Sequence, residues 1–592
     1  MQRRTLLKYL GLSGAAATIH NTAAFADAAD VSAQPRISLN QAGYLPGAAK
    51  IATVLPQDTA NAEFKLYLAA EPRPVLRGTL SALVMDAASG NRVAFADISK
   101  WTTPGRYRLS VDELHSEDFE ISNDAYRDPL RLAMRAFYGQ RCGCAVDLGN
   151  GYTHPACHLD GAYHRTSGHS TSGRGGVLAN HGGWHDAGDY GRYVVNSGLT
   201  TATLLWTWEL YPQVLGNLAL NIPESGGKLP DYLAEIRWNL EWMLSLQDMD
   251  GGVWHKQTSE QFCGFIMPQQ DQMISYVIGT GAEPYKSTCA SADLSAVMAI
   301  AARCYGSYDA PFAARCLAAA KQAWKWSMTH PNVVFTNPQG IGTGEYGDED
   351  CSDEILWASA ELWRTTGDAQ YEKAFLKGAK EFPARNSAWT PSWPRVAPMA
   401  YWTYVLSGLL GGRRTSDDKT ADDLKARILE GTAAAAQALV DRYGASGYGN
   451  TLAVEDYTWG SNSVAANQSL LLLIANHFRP DPRLAEAALG NLHYLLGRNC
   501  FGVSWVTQVG TNAFQHPHHR PSAADGIAAP WPGLLSGGPN AKPADPAARA
   551  MPNLLPMRMW LDDQSAYSLN EVAINWNAPL VFLLAGANSL AS

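Results

Sequence analysis

Residues 182–191 read GGWHDAGDYG. Asp186 and Asp189 stand three apart, and glycines at 182, 183, 188 and 191 leave neither a helical nor a strand period around them. Glycine admits backbone angles and close approaches that other residues resist, so the stretch reads as an irregular loop. Trp184 and Tyr190 add flat surfaces with polar handles. Paired carboxylates beside such faces are the ingredients for cleaving a glycosidic bond and holding a ring. An acidic turn closed by an ion would use the same residues.

Outward from this loop the 3.6-residue period dominates. Asp128-Pro129 marks a helix start. Residues 231–247 place Leu233, Ile236, Leu240, Met243 and Leu244 on one stripe. Further helical text lies at 290–305, 312–326, 353–367, 421–442, 463–478, 484–497 and 571–587. Some ten to twelve helices over about 465 residues imply one large helical domain, 127–592, which a ring of paired helices fits. Closure of such a ring brings first and last helices together and gathers loops at one mouth. Residues 35–122 differ: short alternating runs between Pro, Gly, Asn and Asp predict a small β-sandwich. That segment carries no acid/base constellation and reads as a supporting domain.

The chain has 592 residues, 46% hydrophobic and 17% charged, with 46 basic and 55 acidic side chains and a net charge of -9. Nucleic acid and anionic membranes need concentrated positive charge, which is absent beyond the first residues. Residues 1–26, with Arg3-Arg4, a weakly apolar run and Ala24-Phe25-Ala26, read as a twin-arginine export signal. A periplasmic or extracellular monomer with no membrane span after export is expected. Nine cysteines spread over the chain are not a small-domain disulfide framework, and the sequence does not pair them.

A second acidic focus lies at WLDDQSAYSLNEVAINWNA, 560–578. Glu571 follows Asn570 at an expected helix start, where the helix dipole favours its ionised form. To act as an acid it needs burial or a neighbouring carboxylate. Between the two foci, the proline-rich stretch 510–560 holds a histidine cluster and Trp531, and is read as a wall of the site.

Three blocks in order, GGWHDAGDYGRYVVNSG at 182–198, SWVTQVGTNAFQHPHHRPS at 504–522 and the 560–578 segment, resemble glycoside hydrolase family 9. The resemblance spans residues 35 to 592 and implies an (α/α)6 barrel behind an immunoglobulin-like domain: a mostly α fold. It implies Asp189 as general base, Asp186 as its partner in holding the water and Glu571 as general acid, in an inverting reaction. It also implies His518 and Arg520 as substrate contacts, and Asp562 as a residue orienting hydroxyls or that pair. Trp459 resembles a sugar-stacking tryptophan, and Trp254, His255 and Trp393 are further expected subsite walls. The activity implied is endo-β-1,4-glucanase action on cellulose and related β-glucan chains. An exo-acting cellobiohydrolase, a cellodextrinase or a β-glucosaminidase is the alternative within the fold. A non-catalytic carbohydrate-binding protein is disfavoured, because both carboxylate foci are intact.

Cys142, Cys157 and His158 have spacing compatible with a structural zinc, with His181 as fourth ligand; His154 and His185 compete for that place and Cys144 for that of Cys142. Residues 342–357, GTGEYGDEDCSDEILW, suit calcium through hard oxygen ligands. Asp353 and Glu354 match ligands of the family, with Glu349 and Asp350 as additions. No organic cofactor is expected.

Overall fold

A computed structural model describes residues 34–56, 62–168, 177–178, 182–381, 388–409 and 419–591. The expected leader at 1–26 and the proposed ligand His181 lie outside them.

Among the described residues, twelve helices reach thirteen residues or more: α1 Arg127–Gly139, α2 Val194–Leu210, α3 Asp231–Ser245, α4 Thr288–Tyr305, α5 Ala310–Thr329, α6 Ser352–Thr366, α7 Ala369–Glu381, α8 Ala397–Leu409, α9 Lys419–Ala445, α10 Ser461–Phe478, α11 Pro482–Leu495 and α12 Ile574–Ser589. Alternate helices α2, α4, α6, α8, α10 and α12 form an inner ring, in which α12 packs on both α2 and α10. The outer helices back them pairwise, α5 on α4 and α11 on α10, and α1 packs on α12, so the first helix meets the last. This is the predominantly helical toroid that the sequence led us to expect.

The inner helices are buried on nearly every face, as helices enclosed by others must be. The patterning of α2, absent from the helices foreseen, hid it. Its Asn, Ser and Thr residues give no apolar stripe, but Thr200, Thr203 and Thr207 each donate to the carbonyl four residues back. Those bonds satisfy the hydroxyls inside the core, where an unpaired polar group is costly.

The N-terminal region is a β-sandwich. One sheet runs β1 (Arg36–Ser38), β2 (Ile51–Leu55), β6 (Arg92–Asp97), β5 (Val84–Met85); the other runs β4 (Pro74–Thr79), β3 (Glu63–Leu68), β7 (Gly105–Val111), β8 (Leu114–His115), with β9 (Phe119–Ile121) also on β7. It docks through polar contacts onto two loops of the ring. Asp86 Oδ2 accepts from Gly447 N at 3.0 Å, Thr53 Oγ1 donates to Gly447 O at 2.9 Å, and Gln41 Oε1 accepts from Asn512 N at 2.7 Å.

Two further sheets among the described residues went unforeseen, their strands being too short to show a period: a two-stranded one, Val146–Asp147 with Thr153–His154, and a larger one beside the acidic loop. Arg192–Tyr193 pairs with Lys256–Thr258, which pairs with Tyr276–Ile278, and that strand with Ala162–Arg165. It anchors the chain as it leaves the acidic loop. No helix among the described residues is long and apolar enough to cross a membrane.

Candidate active site

The acidic loop is fixed by its backbone. Gln140, the C-cap of α1, accepts from His185 N at 2.6 Å and donates through Nε2 to Ala187 O at 2.7 Å. Asp186 N donates to Gly191 O at 2.9 Å, and Asp186 O accepts from Ile574 N at the start of α12. A Cβ on Gly188 would overlap His518 O, and one on Gly191 would come within 2.7 Å of Asp189 Oδ2. These glycines are there because neighbours fill the space.

The two aspartates are held differently. Asp186 is buried, with Oδ1 accepting from Asn196 Nδ2 and Oδ2 from Tyr346 OH, both at 2.6 Å. Asp189 Oδ2 accepts from Gly191 N at 2.9 Å and Tyr193 OH at 3.3 Å, which leaves Oδ1 for a water. Burial first, and the Asp189 charge second, push the Asp186 carboxyl up to about 8, against the bonds from Tyr346 and Asn196.

Glu571 sits elsewhere than expected. The chain leaves a short turn at Tyr567–Asn570, runs extended through Glu571 and re-enters a helix only at Ile574. The cause is pairing: Glu571 bridges His518 in parallel, and its carbonyl accepts from Gly537 N at 2.7 Å. The helix-dipole argument therefore falls away. Burial, then the charges of Asp189 and Asp186, hold its carboxyl well above the usual carboxylate range, so it keeps a proton to give.

Asp186, Asp189 and Glu571 line one cleft of about 1270 Å³, together with Phe262, Tyr346, Trp393, Trp459, His518, Arg520, Tyr567 and Trp576. Trp459 is 43% exposed there and stands beside Tyr567. His518 Nδ1 donates to Gln564 O at 2.8 Å, and burial pushes its pKa down. The neutral ring therefore offers Nε2 as an acceptor. Arg520 spends its fork on the backbone, with Nη1 on Gly188 O at 2.6 Å and Nε and Nη2 on Cys263 O.

Other expected contacts do not reach the cleft. Trp254 and His255 are buried: Trp254 Nε1 donates to Ser167 O, and His255 stacks on Phe335 with Nε2 on Glu345 O. They pack behind the wall, just before the strand Lys256–Thr258, because residue type alone gives no sign of which side an aromatic pair faces. Trp184 and Tyr190 are likewise buried. Asp562 accepts from the backbone N of Gln515 and His516 and from Asn570 Nδ2, so it shapes the histidine loop. Tyr346, Tyr193, Asn196 and Trp576 were missed. Tyr346 lay in the acidic loop read for calcium and Trp576 in the third block, and neither position announced its partner.

Two groups of metal-ligating side chains are present. In the first, donor atoms of Cys142, Cys157, His158 and His185 lie within 4.8 Å of one another. His158 Nδ1 and His185 Nε2 are buried with no hydrogen-bond partner, as atoms meant for a metal would be. His185, the competitor, thus stands where His181 was expected. His154 Nδ1 is engaged with Pro155 O, and Cys144 lies outside the group. The second comprises Cys289, Cys351 and Glu354, but the two cysteines form a disulfide, so its donors are carboxylates. Both oxygens of Glu354 and of Asp293, and Asp348 Oδ2, are buried without a partner, while Asp353 Oδ2 caps Val396 N and Ala397 N. Burial and mutual repulsion raise the pKa values of Asp293 and Glu354 well above the usual range. Glu349 and Asp350 are exposed, and Asp350 caps Ser352. That correction follows from reading a loop by composition, which does not show which carboxylates turn inward.

A helical toroid whose mouth holds three carboxylates in an aromatic-walled cleft defines a glycoside hydrolase of the carboxylate type. The profile of glycosyl hydrolase family 9 matches residues 126–584, and that of the cellulase N-terminal ig-like domain matches residues 32–116. The chain belongs to glycosyl hydrolase family 9. It is 35% identical over 563 residues to endoglucanase D of Acetivibrio thermocellus, covering 93% of this chain and 83% of the relative. It is 32% identical to a cellodextrinase of Butyrivibrio fibrisolvens, covering 93% and 99%. A metagenome-derived family 9 endoglucanase of known crystal structure superposes with a TM-score of 0.85 at 36% identity, covering 94% of this chain and 99% of that one.

Proposed function

We propose that the protein is an inverting endo-β-1,4-glucanase, exported by its twin-arginine leader and acting on β-glucan chains. The observation that carries this is the joint placement of Asp189 and Glu571 in one long aromatic cleft. A volume of about 1270 Å³ exceeds the roughly 300–1,000 Å³ of ordinary small-ligand pockets, which supports a chain spanning several subsites. Asp189 Oδ1 takes the proton of a water while Glu571 delivers its own to the leaving oxygen. The two act on opposite faces of the sugar in an inverting enzyme. Asp186 keeps a second lone pair on each oxygen through which it shares the water. Trp459, Trp393 and Trp576 offer stacking faces, and His518 and Arg520 border the reacting sugar.

Cys142, Cys157, His158 and His185 would hold zinc. Four protein donors would leave no open position on it, so the metal would supply a cross-link at the acidic loop. Asp293, Asp348, Asp353 and Glu354 would hold calcium and relieve their mutual repulsion.

Time-resolved products from carboxymethyl-cellulose and cellohexaose test the activity. Early mixed oligosaccharides with a rapid fall in viscosity are expected. Release of disaccharide alone from one chain end would replace this reading with the exo-acting one.

A further inference from the structure

The segment from Phe262 to Met273 is tied at separate points to the metal cluster and to the cleft. Asp271 is half-buried, and its Oδ2 accepts from His158 Nε2 at 3.4 Å while its Oδ1 accepts from Met273 N at 2.9 Å. Cys263 O receives Arg520 Nε and Nη2 at 3.1 and 2.9 Å. Tyr190 OH donates to Ile266 O, and its ring lies 4.8 Å from that of His185 and 5.6 Å from that of His158. At the other end, the Arg520 guanidinium lies 5.7 and 5.5 Å from the rings of Phe262 and Phe265. Phe265 meets His518 edge-on at 5.0 Å. Phe262 is 47% exposed and lines the cleft.

We propose that Asp271 is a positioning residue through which the metal cluster sets the substrate wall made by Phe262, Phe265 and Arg520. This rests on the zinc reading above. His158 presents Nδ1 to the cluster and Nε2 to Asp271, the arrangement in which an outer carboxylate fixes ring orientation and raises ligand basicity. The same carboxylate holds Met273 N, and Tyr190, packed on His158 and His185, holds Ile266 O, so a rotation of His158 is passed along this segment to the Cys263 carbonyl that holds Arg520. Phe262 gives a sugar ring a flat apolar face at that end of the cleft.

The test compares full-length wild type, Asp271→Asn and Phe262→Ala by zinc content, zinc release to a chromogenic chelator, and kinetics on cellohexaose. For Asp271→Asn the expectation is a zinc affinity about 10–100-fold weaker, a KM raised about 3–10-fold, and a kcat within about twofold of wild type. Phe262→Ala should raise KM similarly while releasing zinc as wild type does. Wild-type zinc release or wild-type KM in Asp271→Asn overturns the link. An unchanged KM in Phe262→Ala, a substitution at an exposed position that keeps the test decisive if Asp271→Asn folds poorly, overturns the wall. Absence of zinc from the wild type would instead overturn the zinc reading itself.

Discussion

Asp186 has both oxygens bound by side chains from two other elements, Asn196 on α2 and Tyr346 before α6, and its loop is stitched to α1 and α12. Glu571 reaches the same cleft on an extended link, held through its own backbone by His518 and Gly537. A water-activating pair needs both direction and distance, because the water must approach the anomeric carbon along one line. A proton donor needs mainly the right pKa and reach, and burial beside two aspartates supplies the pKa. On the proposed roles, the base side is built by hydrogen bonds and the acid side by desolvation and repulsion.

The largest effect that separates the two sides comes from their neutral amides. Glu571→Gln and Asp189→Asn should each lower kcat on cellohexaose about 10²–10⁴-fold. With a dinitrophenyl glycoside, whose leaving group needs no proton, Glu571→Gln should recover most of its activity and Asp189→Asn none. Equal recovery, or none in either, would erase the distinction. In the wild type, activity should fall as pH rises through the elevated pKa of Glu571, since only the protonated acid works. That alkaline limb should vanish for Glu571→Gln on the activated substrate. Tyr346→Phe removes one bond to Asp186 and should cut kcat up to about 10-fold, in line with about 0.5–1.5 kcal/mol for one hydrogen bond, with KM unchanged.

Much of this was legible beforehand, and the failures share a cause. The stripe of α3 and the Asp-Pro start of α1 announced helices because period and caps are local. The all-round burial of α2 is a tertiary fact, so its threonines concealed it. Asp186 and Asp189 stood out because the loop around them carries no competing period, whereas Glu571 lay in text read as a helix start and was singled out by the family resemblance. Trp254 and His255 were misplaced because residue type does not encode which way a side chain faces, whereas Asp562 holds the loop that carries the His518/Arg520 pair. Asp293 was missed because it sits in ordinary helical text, one turn after Cys289, and becomes a metal-type donor only when α4 packs against α6.

A smaller effect concerns the second carboxylate group. Asp293, Asp353 and Glu354 have raised pKa values in the fold. Without a cation their stability contribution is full below the unfolded carboxylate pKa and is lost as pH rises through the folded values. Calcium removal by EGTA should therefore lower Tm by about 5 °C at pH 8 and by less than about 2 °C at pH 5, measured by scanning calorimetry. Equal shifts at both pH values would argue against a cation among these residues. Smallest of all, Trp459→Ala should raise KM on cellohexaose about 3–10-fold, the loss of one stacking face, without moving the pH profile.

The central claim is that water held by Asp189 attacks from the face opposite the proton donor Glu571. Proton NMR of the anomers formed in the first seconds of cellohexaose cleavage tests it directly. The account predicts that the new reducing end appears as the α anomer and only later mutarotates. A first-formed β anomer would contradict it.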